Sequence, residues 1–122
     1  MSLPYVKLER FTARILISTE EAVHLVLTGE ADMEAAEALG VFLVRSGVIA
    51  GQAGTPSVVL DLRRVDILTS PCLKRIVSWL LGIERLEKPY QVVIRADSSK
   101  PWQAHTLAAL RCFAAELVRI EV

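Results

Sequence analysis

The chain has 122 residues, is 52% hydrophobic and carries 14 basic and 14 acidic side chains, so its formal net charge is zero. This length predicts one domain, and the balanced charge gives no general electrostatic basis for binding nucleic acid or an anionic membrane. No apolar run approaches the roughly 20 residues of a membrane span, and the N-terminus lacks the layout of a signal peptide. Cys72 and Cys112 are spaced neither as a disulfide framework nor as a metal site, which predicts a reduced, cytoplasmic setting.

The first part of the chain predicts an arm followed by a β-hairpin. Pro4 favours an N-terminal arm or an edge strand over residues 1–12. Ala13–Ile17 and Ala22–Thr28 are apolar and β-branched, with polar residues between them, a pattern typical of a hairpin. The domain proper is therefore expected over residues 13–122.

A helix and a loop are expected after the hairpin. Gly29–Asp32 ends the second strand, and Asp32 is the expected N-cap of a helix over about Met33–Ser46. The helix is expected to end near Gly47. Glycines and a proline in Val48–Pro56 then predict a loop.

The centre of the chain predicts a buried strand that leads through a turn into a second helix. Val58–Leu62 is short and apolar, as is typical of parallel strands buried on both faces. After the turn, Ser70 is the expected N-cap, because Pro71 suits the first helical position, where no N–H is needed. Apolar residues at helical spacing then predict a helix over about Pro71–Leu86.

The last third predicts a further strand, helix and strand. The strand is expected at Tyr90–Ala96, the helix at Pro101–Leu117 and the final strand at Val118–Val122. The residues that this helix is expected to bury are Trp102, Thr106, Leu110 and Phe113. Strands that alternate with helices predict an α/β domain with a largely parallel sheet and right-handed crossovers.

Three short stretches resemble a known signature. The first is Gly29-Glu30-Ala31-Asp32 before a helix, the second is Val59-Leu60-Asp61-Leu62, and the third starts at Val65 and reads Thr69-Ser70-Pro71-Cys72-Leu73 at a helix start. Together they resemble STAS domains, whose prototypes are the bacterial anti-sigma factor antagonists and whose third stretch ends in Asp-Ser-Ser-Gly-Leu. The resemblance implies a STAS-like mixed, largely parallel β-sheet with an N-terminal β-hairpin and crossover helices.

The resemblance also implies a regulatory domain that is not an enzyme and needs no cofactor. In the family, a partner serine kinase, usually an anti-sigma factor, phosphorylates the first serine of the motif, and a phosphatase reverses this. The unphosphorylated form binds the kinase and releases the sigma factor. By position, Ser70 matches the phosphorylated serine and Asp32 the aspartate of the neighbouring loop. Thr69 replaces the motif's aspartate and is an alternative acceptor. The expected partner-binding residues are Gly29, Glu30, Asp32, Thr69, Ser70, Cys72 and Lys74.

Three other interpretations stay open at this point. Ser70 can be a helix cap and nothing more. The domain can be a scaffold that is never phosphorylated and acts through self-assembly, including as a homodimer, or through a small ligand. Cys72 can be a thiolate nucleophile, although no general base lies near it in sequence.

Several other polar residues have structural explanations. Asp97-Ser98-Ser99 contains the literal string Asp-Ser-Ser but follows the wrong strand, so we interpret it as helix-capping chemistry. Asp61 is expected to be a buried, hydrogen-bonded structural aspartate. His24 and His105 have no partners at the spacing of metal ligands or of a catalytic triad. Trp79 is a candidate for core packing or for a protein interface.

Overall fold

The computed structural model describes residues 3–17 and 22–122. Within these ranges it contains strands β1 (Tyr5–Lys7), β2 (Phe11–Ile17), β3 (Ala22–Ala31), β4 (Ser57–Leu68), β5 (Gln91–Arg95) and β6 (Val118–Glu121). The helices are α1 (Ala35–Ala53), α2 (Ser70–Glu84) and α3 (Pro101–Phe113). Strands and helices alternate after β3, as the sequence predicts.

The strands form one sheet in the order in which they occur along the chain. The pairs β1–β2 and β2–β3 are antiparallel, whereas β3–β4, β4–β5 and β5–β6 are parallel. The predicted hairpin and the largely parallel sheet are therefore confirmed. The predicted hairpin turn at residues 18–21 lies outside the described residues.

The three helices lie on one face of the sheet. Successive parallel strands advance in a single direction across the sheet, and crossovers of one hand place their helices on the same side. Alternate strand residues face these helices, so that Val23, Leu25 and Leu27 of β3 are buried while the residues between them are partly exposed. The largest fully buried side chains of this core are Phe11, Phe42, Leu25, Leu27, Leu39, Leu43, Leu60, Leu62, Ile76, Leu80, Ile94 and Leu110.

Strand β4 continues beyond its predicted end. Val58–Leu62 is buried throughout, as predicted for an interior parallel strand. The turn predicted before Thr69 is wrong, because the strand runs on to Leu68 through two irregularities in its pairing with β3. At each one, β4 carries one residue more than β3, which is the pattern of a β-bulge. The flanking pairs are Val26–Asp61 and Thr28–Arg64, then Gly29–Val65 and Glu30–Ile67.

Helix α1 starts and ends later than predicted. It begins at Ala35 and ends at Ala53, so the predicted stop at Gly47 and the predicted loop over Val48–Pro56 are wrong. A glycine inside a helix costs roughly 1 kcal/mol relative to alanine, which burial of residues such as Ala50 outweighs. The glycine that ends the helix is Gly54, whose φ of 64° is the left-handed cap conformation.

Helix α3 is shorter than predicted and buries a different face. It ends at Phe113, which is 53% exposed, so the prediction that Phe113 is buried is wrong. Trp102 and Thr106 are only half-buried. The fully buried side chains include Gln103, whose amide is hydrogen-bonded on both sides: Nε2 donates to the Leu62 carbonyl at 2.9 Å, and Oε1 accepts from the Asp97 N–H at 2.8 Å.

Candidate functional site at the start of helix α2

The junction between β4 and α2 places the two predicted phosphoacceptors side by side. Thr69 is extended, with φ −78° and ψ 160°, and α2 begins at Ser70. The predicted N-cap role of Ser70 is wrong, because Thr69 is the N-cap: its carbonyl accepts the first helical hydrogen bond, from the Leu73 N–H at 2.9 Å. Pro71 occupies the first turn, where its missing N–H has no helical partner to lose.

Thr69 holds the start of α2 against the end of β3. Its backbone N–H and its hydroxyl both donate to the Ala31 carbonyl, at 3.0 Å and 2.8 Å. The hydroxyl is therefore turned away from the N–H groups of α2, and no side chain among the described residues caps them. The first turn also contains no acidic residue. The positive end of the helix dipole is consequently uncompensated and favours a negative group.

Ser70 presents its hydroxyl to solvent. The residue is exposed, whereas Thr69 is half-buried. No hydrogen bond of the Ser70 hydroxyl is found among residues 3–17 and 22–122. Of the two predicted acceptors, Ser70 is therefore the accessible one, and modifying it breaks no observed contact.

The end of β3 forms the other side of the site. Gly29 has a φ of 102°, and a Cβ there would lie 2.1 Å from the Arg10 carbonyl oxygen, so the position requires glycine. Glu30 donates its N–H to the same carbonyl at 2.7 Å and pairs with the Arg10 guanidinium at 3.7 Å. Asp32 Oδ1 accepts the Ala35 N–H at 3.1 Å, so this carboxylate lies beside the start of α1. The predicted N-cap role of Asp32 is wrong, because α1 begins two residues later than expected and its N-cap is Glu34.

Cys72 does not reach the surface. It is fully buried, and its Sγ donates to the Asp32 carbonyl at 3.2 Å. The sequence-based expectation that Cys72 touches a partner is therefore wrong, because its side chain joins α2 to the start of α1 inside the protein. Burial raises the pKa of the Cys72 thiol, which argues against a thiolate nucleophile at this position.

Basic and cleft-lining residues complete the surroundings of the site. Lys74 is exposed in the first turns of α2. Arg75 extends across α1, where a Cβ on Gly40 would lie 3.0 Å from Arg75 Cδ. Beside Thr69 lies a cleft of about 480 Å³, which no sequence pattern predicts. Its lining residues are Leu8, Glu9, Arg10, Phe11, Asp32, Met33, Glu34 and Thr69.

Asp61 is a structural carboxylate, as predicted. It is 9% exposed and accepts hydrogen bonds from the Arg63 backbone N–H at 3.1 Å, Nε at 3.0 Å and Nη2 at 2.8 Å. Burial raises the pKa of Asp61, but the Arg63 hydrogen bonds and the charges of Arg63 and Arg95 lower it by more. The pKa of Asp61 therefore lies below its ordinary value.

The second serine motif forms a turn. Asp97 Oδ1 accepts the Ser99 N–H at 2.9 Å and the Ser99 hydroxyl at 2.7 Å, and these bonds lower the pKa of Asp97. The N-cap of α3 is Lys100, and no side chain among the described residues caps it. The predicted helix-capping role of Asp97–Ser99 is therefore corrected to that of an Asx turn just before the helix.

Trp79 lies beside a second cavity, which is bordered by α1 and α2. Trp79 is 8% exposed and packs in the core. It also lines an apolar groove of about 620 Å³ between α1 and α2, together with the exposed side chains of Val41, Val44 and Val48. The sequence signal for this groove was the spacing of these valines on the outer face of α1, in a segment that was partly interpreted as a loop.

The described residues contain neither a cluster suited to a metal ion nor a helix suited to crossing a membrane. Over residues 3–17 and 22–122, no group of three or more His, Cys, Asp and Glu side chains is placed to hold a metal ion. None of the described helices has both the length and the hydrophobicity needed to span a membrane.

Comparison with known proteins shows the fold. No protein-family model matches the sequence, and no characterised protein matches it significantly. An anti-sigma factor antagonist from Mycobacterium paratuberculosis has a similar structure, with a TM-score of 0.62 and 24% identity over 84% of this chain and 80% of its own. The Bacillus cell fate determinant SpoIIAA in its phosphorylated form gives 0.58 and 14% identity over 90% of this chain and 91% of its own.

A third similar structure carries no assigned function. It is an uncharacterised Shewanella loihica protein with a SpoIIAA-like fold, which gives a TM-score of 0.54 and 16% identity over 99% of this chain and 90% of its own. The chain therefore has the SpoIIAA-like α/β fold, that of the anti-sigma factor antagonists among its structural neighbours. The predicted STAS-like architecture is confirmed.

Proposed function

We propose that this protein is a regulatory domain of the anti-sigma factor antagonist type, not an enzyme, that binds a serine/threonine kinase and is released when Ser70 is phosphorylated. A phosphatase would restore the binding form, and the setting would be cytoplasmic. The single observation that carries the proposal is the exposed, unbonded Ser70 hydroxyl at the uncapped start of α2.

The contact surface of the proposed switch consists of two adjoining segments. One is the end of β3 with Gly29, Glu30 and Asp32, and the other is the start of α2 with Thr69, Ser70 and Lys74. The hydrogen bonds from Thr69 to the Ala31 carbonyl hold the two segments together. A partner that covers this surface would therefore contact both segments as one rigid unit.

Phosphorylation would change the surface without unfolding the protein. A phosphoserine carries about −1.5 to −2 charges, and a helix N-terminus tolerates such a group. The contacts of a partner that fits the neutral hydroxyl would then include an unpaired dianion. Such an unpaired charge is a repulsive element against binding, so the kinase complex would dissociate.

Thr69 is the less suitable acceptor of the two. Its hydroxyl donates to the Ala31 carbonyl and its side chain is half-buried, so a kinase would have to break a tertiary contact to reach it. Ser70 makes no such contact among the described residues. Phosphorylation is therefore proposed at Ser70, with Thr69 as the alternative.

The proposal is tested by mapping phosphorylation in extract of the source organism. The protein is incubated with extract and ATP, and its phosphosites are located by mass spectrometry. We expect one phosphate on the peptide that contains Ser70, loss of that phosphate in Ser70→Ala, and its retention in Ser78→Ala, an exposed serine on the same helix. Phosphate confined to other sites, or retained at this peptide in both Ser70→Ala and Thr69→Val, would contradict the switch.

Binding of the kinase is tested by comparing the unphosphorylated protein with the protein phosphorylated at Ser70. Immobilised unphosphorylated protein is expected to retain a serine/threonine kinase from the extract, and protein carrying phosphoserine at position 70 is expected to release it. Equal retention by both forms would show that modification at Ser70 does not control the interaction.

A second candidate function is a scaffold that takes a small apolar ligand and is never phosphorylated. The observation that favours it is the groove of about 620 Å³ between α1 and α2, which has the size and apolar lining of ligand pockets. Absence of phosphate under all growth conditions, together with an apolar ligand retained through purification, would favour the scaffold over the switch.

A further inference from the structure

The sheet has a second face that carries no helix. Val59 and Val93 are 6% and 9% exposed, yet they lie outside the core cluster that the helices cover. The strand register places them in one row across the sheet, Leu16–His24–Val59–Val93–Arg119. The adjoining row is Tyr5–Arg14–Val26–Asp61–Arg95–Glu121.

This helix-free face is rich in positive charge, and we call it the basic face. Its basic residues are Lys7, Arg14, Arg63, Arg64, Arg95 and Arg119, and its acidic residues are Asp61 and Glu121. Two ion pairs at one end of this face, Arg10–Glu30 and Lys100–Asp66, add no net charge to it. Four positive charges are therefore in excess on one face of a chain whose net charge is zero.

A β-bulge contributes to this concentration of charge. Leu62 and Val65 are both fully buried, so the two residues between them, Arg63 and Arg64, both lie on the outer side of β4. Strict alternation would have turned one of the two towards the helices. The extra residue of the bulge thus places two consecutive arginines on the same face.

The acidic residues of the face are already paired within it. Asp61 binds Arg63 at 2.8 Å, and Glu121 binds Arg119 at 2.6 Å and Arg95 at 3.7 Å. Lys7, Arg14 and Arg64 have no acidic side chain within salt-bridge distance among the described residues. These three therefore carry the positive charge that is free to meet a partner.

The chemistry of the face fits an acidic protein segment. Tyr5, Leu16 and Val26 surround Arg14 on this face and leave apolar surface exposed, whereas Val59 and Val93 in the middle of the face are almost fully covered. Sheet faces that bind single-stranded nucleic acid stack bases on exposed aromatic side chains, whereas the rings in these rows are Tyr5 on the edge strand and the half-buried His24. We propose that the basic face docks an acidic, amphipathic segment of a partner protein.

In this interaction, carboxylates of the segment pair with Lys7, Arg14 and Arg64, and its apolar side chains cover Tyr5, Leu16 and Val26. The basic face is distinct from the start of α2, so the interaction is independent of Ser70 and of its phosphorylation. Because the free cations are exposed, affinity falls as ionic strength rises.

The test uses a fluorescent synthetic peptide of glutamate and leucine at helical spacing, with a lysine-for-glutamate version as its control. Fluorescence anisotropy gives affinity, and amide chemical shifts of the full chain locate the binding site. We expect the acidic peptide to bind at low salt, the lysine version to fail, and the shifts to centre on Tyr5, Leu16 and Val26. The Arg14→Glu/Arg64→Glu variant weakens binding at least about tenfold.

A matched variant separates this face from general charge effects. Arg45→Glu/Arg85→Glu makes the same change in net charge at two exposed positions, one in α1 and one at the end of α2, and is expected to alter affinity less than about twofold. Arg64→Gln alone is the milder substitute if the double variant melts early by circular dichroism. Absence of binding, shifts confined to the start of α2 or to the α1–α2 groove, or tighter binding of duplex DNA or phosphatidylglycerol vesicles each overturns the proposal.

Discussion

Gly29 is a residue whose backbone decides the shape of the site. The φ of Gly29 is 102°, and a Cβ at this position would lie 2.1 Å from the Arg10 carbonyl oxygen. The position therefore has no room for a side chain. We expect Gly29→Ala to lower the free energy of unfolding by about 1–3 kcal/mol from backbone strain, with the clash adding to this. Urea denaturation measures the change.

Gly51 is the matched control for this substitution. It lies in α1 with a negative φ, and a built Cβ there meets no atom within 4 Å. Gly51→Ala is expected to raise the free energy of unfolding by about 0.5–1 kcal/mol, because alanine loses less conformational entropy in a helix. Equal effects of the two substitutions would show that the geometry at Gly29 has no energetic consequence.

The Asp61–Arg63 pair predicts a pH dependence. Because the folded pKa of Asp61 is depressed, its contribution to stability is present above the unfolded value of about 3.9 and is lost as pH falls through the folded pKa. In Arg63→Met we expect the pKa of Asp61 to rise, since burial then acts without its main opposing partner.

Carbon-detected NMR titration of the Asp61 carboxyl follows this pKa directly. Arg119→Met is the control, because it removes an arginine of the same face that has no direct bond to Asp61. An unchanged pKa of Asp61 in Arg63→Met would show that the hydrogen bonds from Arg63 do not set it.

At the scale of elements, Gln103 joins α3 to β4 and to the segment that follows β5. Gln103→Met keeps the volume but leaves the buried Leu62 carbonyl and the Asp97 N–H without their partner. We expect a loss of about 1–3 kcal/mol in the free energy of unfolding for each buried group left unsatisfied.

Gln52→Met, at an exposed position of α1, serves as the control and should change stability by less than about 0.5 kcal/mol. Thermal and urea unfolding of both variants provide the comparison. A loss in Gln103→Met no larger than that of the control would mean that water replaces the amide.

The same residue explains why α3 was mispredicted. Hydrophobic spacing assigned the buried face to Trp102, Thr106, Leu110 and Phe113, and a polar glutamine could not enter such a pattern. The amide of Gln103 instead forms hydrogen bonds with the backbone of residues 62 and 97, and α3 is oriented so that this side chain is buried. A hydrophobic period of 3.6 residues depends only on local spacing, so it cannot predict contacts between residues distant in sequence.

The errors in predicting the ends of α1 and β4 also have physical causes. Glycines at positions 47 and 51 suggested a loop, but packing of the buried stripe outweighs their weak helix propensity. Residues 63–68 break strict alternation and so resembled a turn, whereas two bulges keep them in the sheet. Strand pairing of the hairpin and the parallel strands followed from local patterns and was predicted well.

The site was predictable in its location and less so in its bonding. A proline in the first turn and the apolar run after it were sufficient to place Ser70 at a helix start. The bond from the Thr69 hydroxyl to the Ala31 carbonyl spans 38 residues and has no local signature. It reverses the expected roles, because Thr69 becomes the cap and leaves the Ser70 hydroxyl free.

For the whole molecule, the order of the sheet predicts where local unfolding begins. Strands β4 and β5 are hydrogen-bonded on both sides, while β1 and β6 form the edges. We expect amide hydrogen exchange to be slowest at the centre of β4, around Leu60, and faster in Tyr5–Lys7 and Val118–Glu121. Exchange measured by NMR at neutral pH would contradict this picture if the edge strands were as protected as Leu60.

The two bulges of β4 have a joint consequence for insertions and deletions. Each adds one residue, so together they restore the original phase: Leu62, Val65 and Leu68 all turn inward although they are three residues apart. Losing Arg64 alone would remove the first bulge: Arg63 would take its place opposite Thr28, while Val65, Leu68 and the hydroxyls that follow would keep their pairing and their faces. Losing Arg64 and Asp66 together would remove both bulges and leave one-to-one pairing with β3, so this strand should accept the loss of its extra residues but not of a residue in Ser57–Asp61, where the pairing is already one to one.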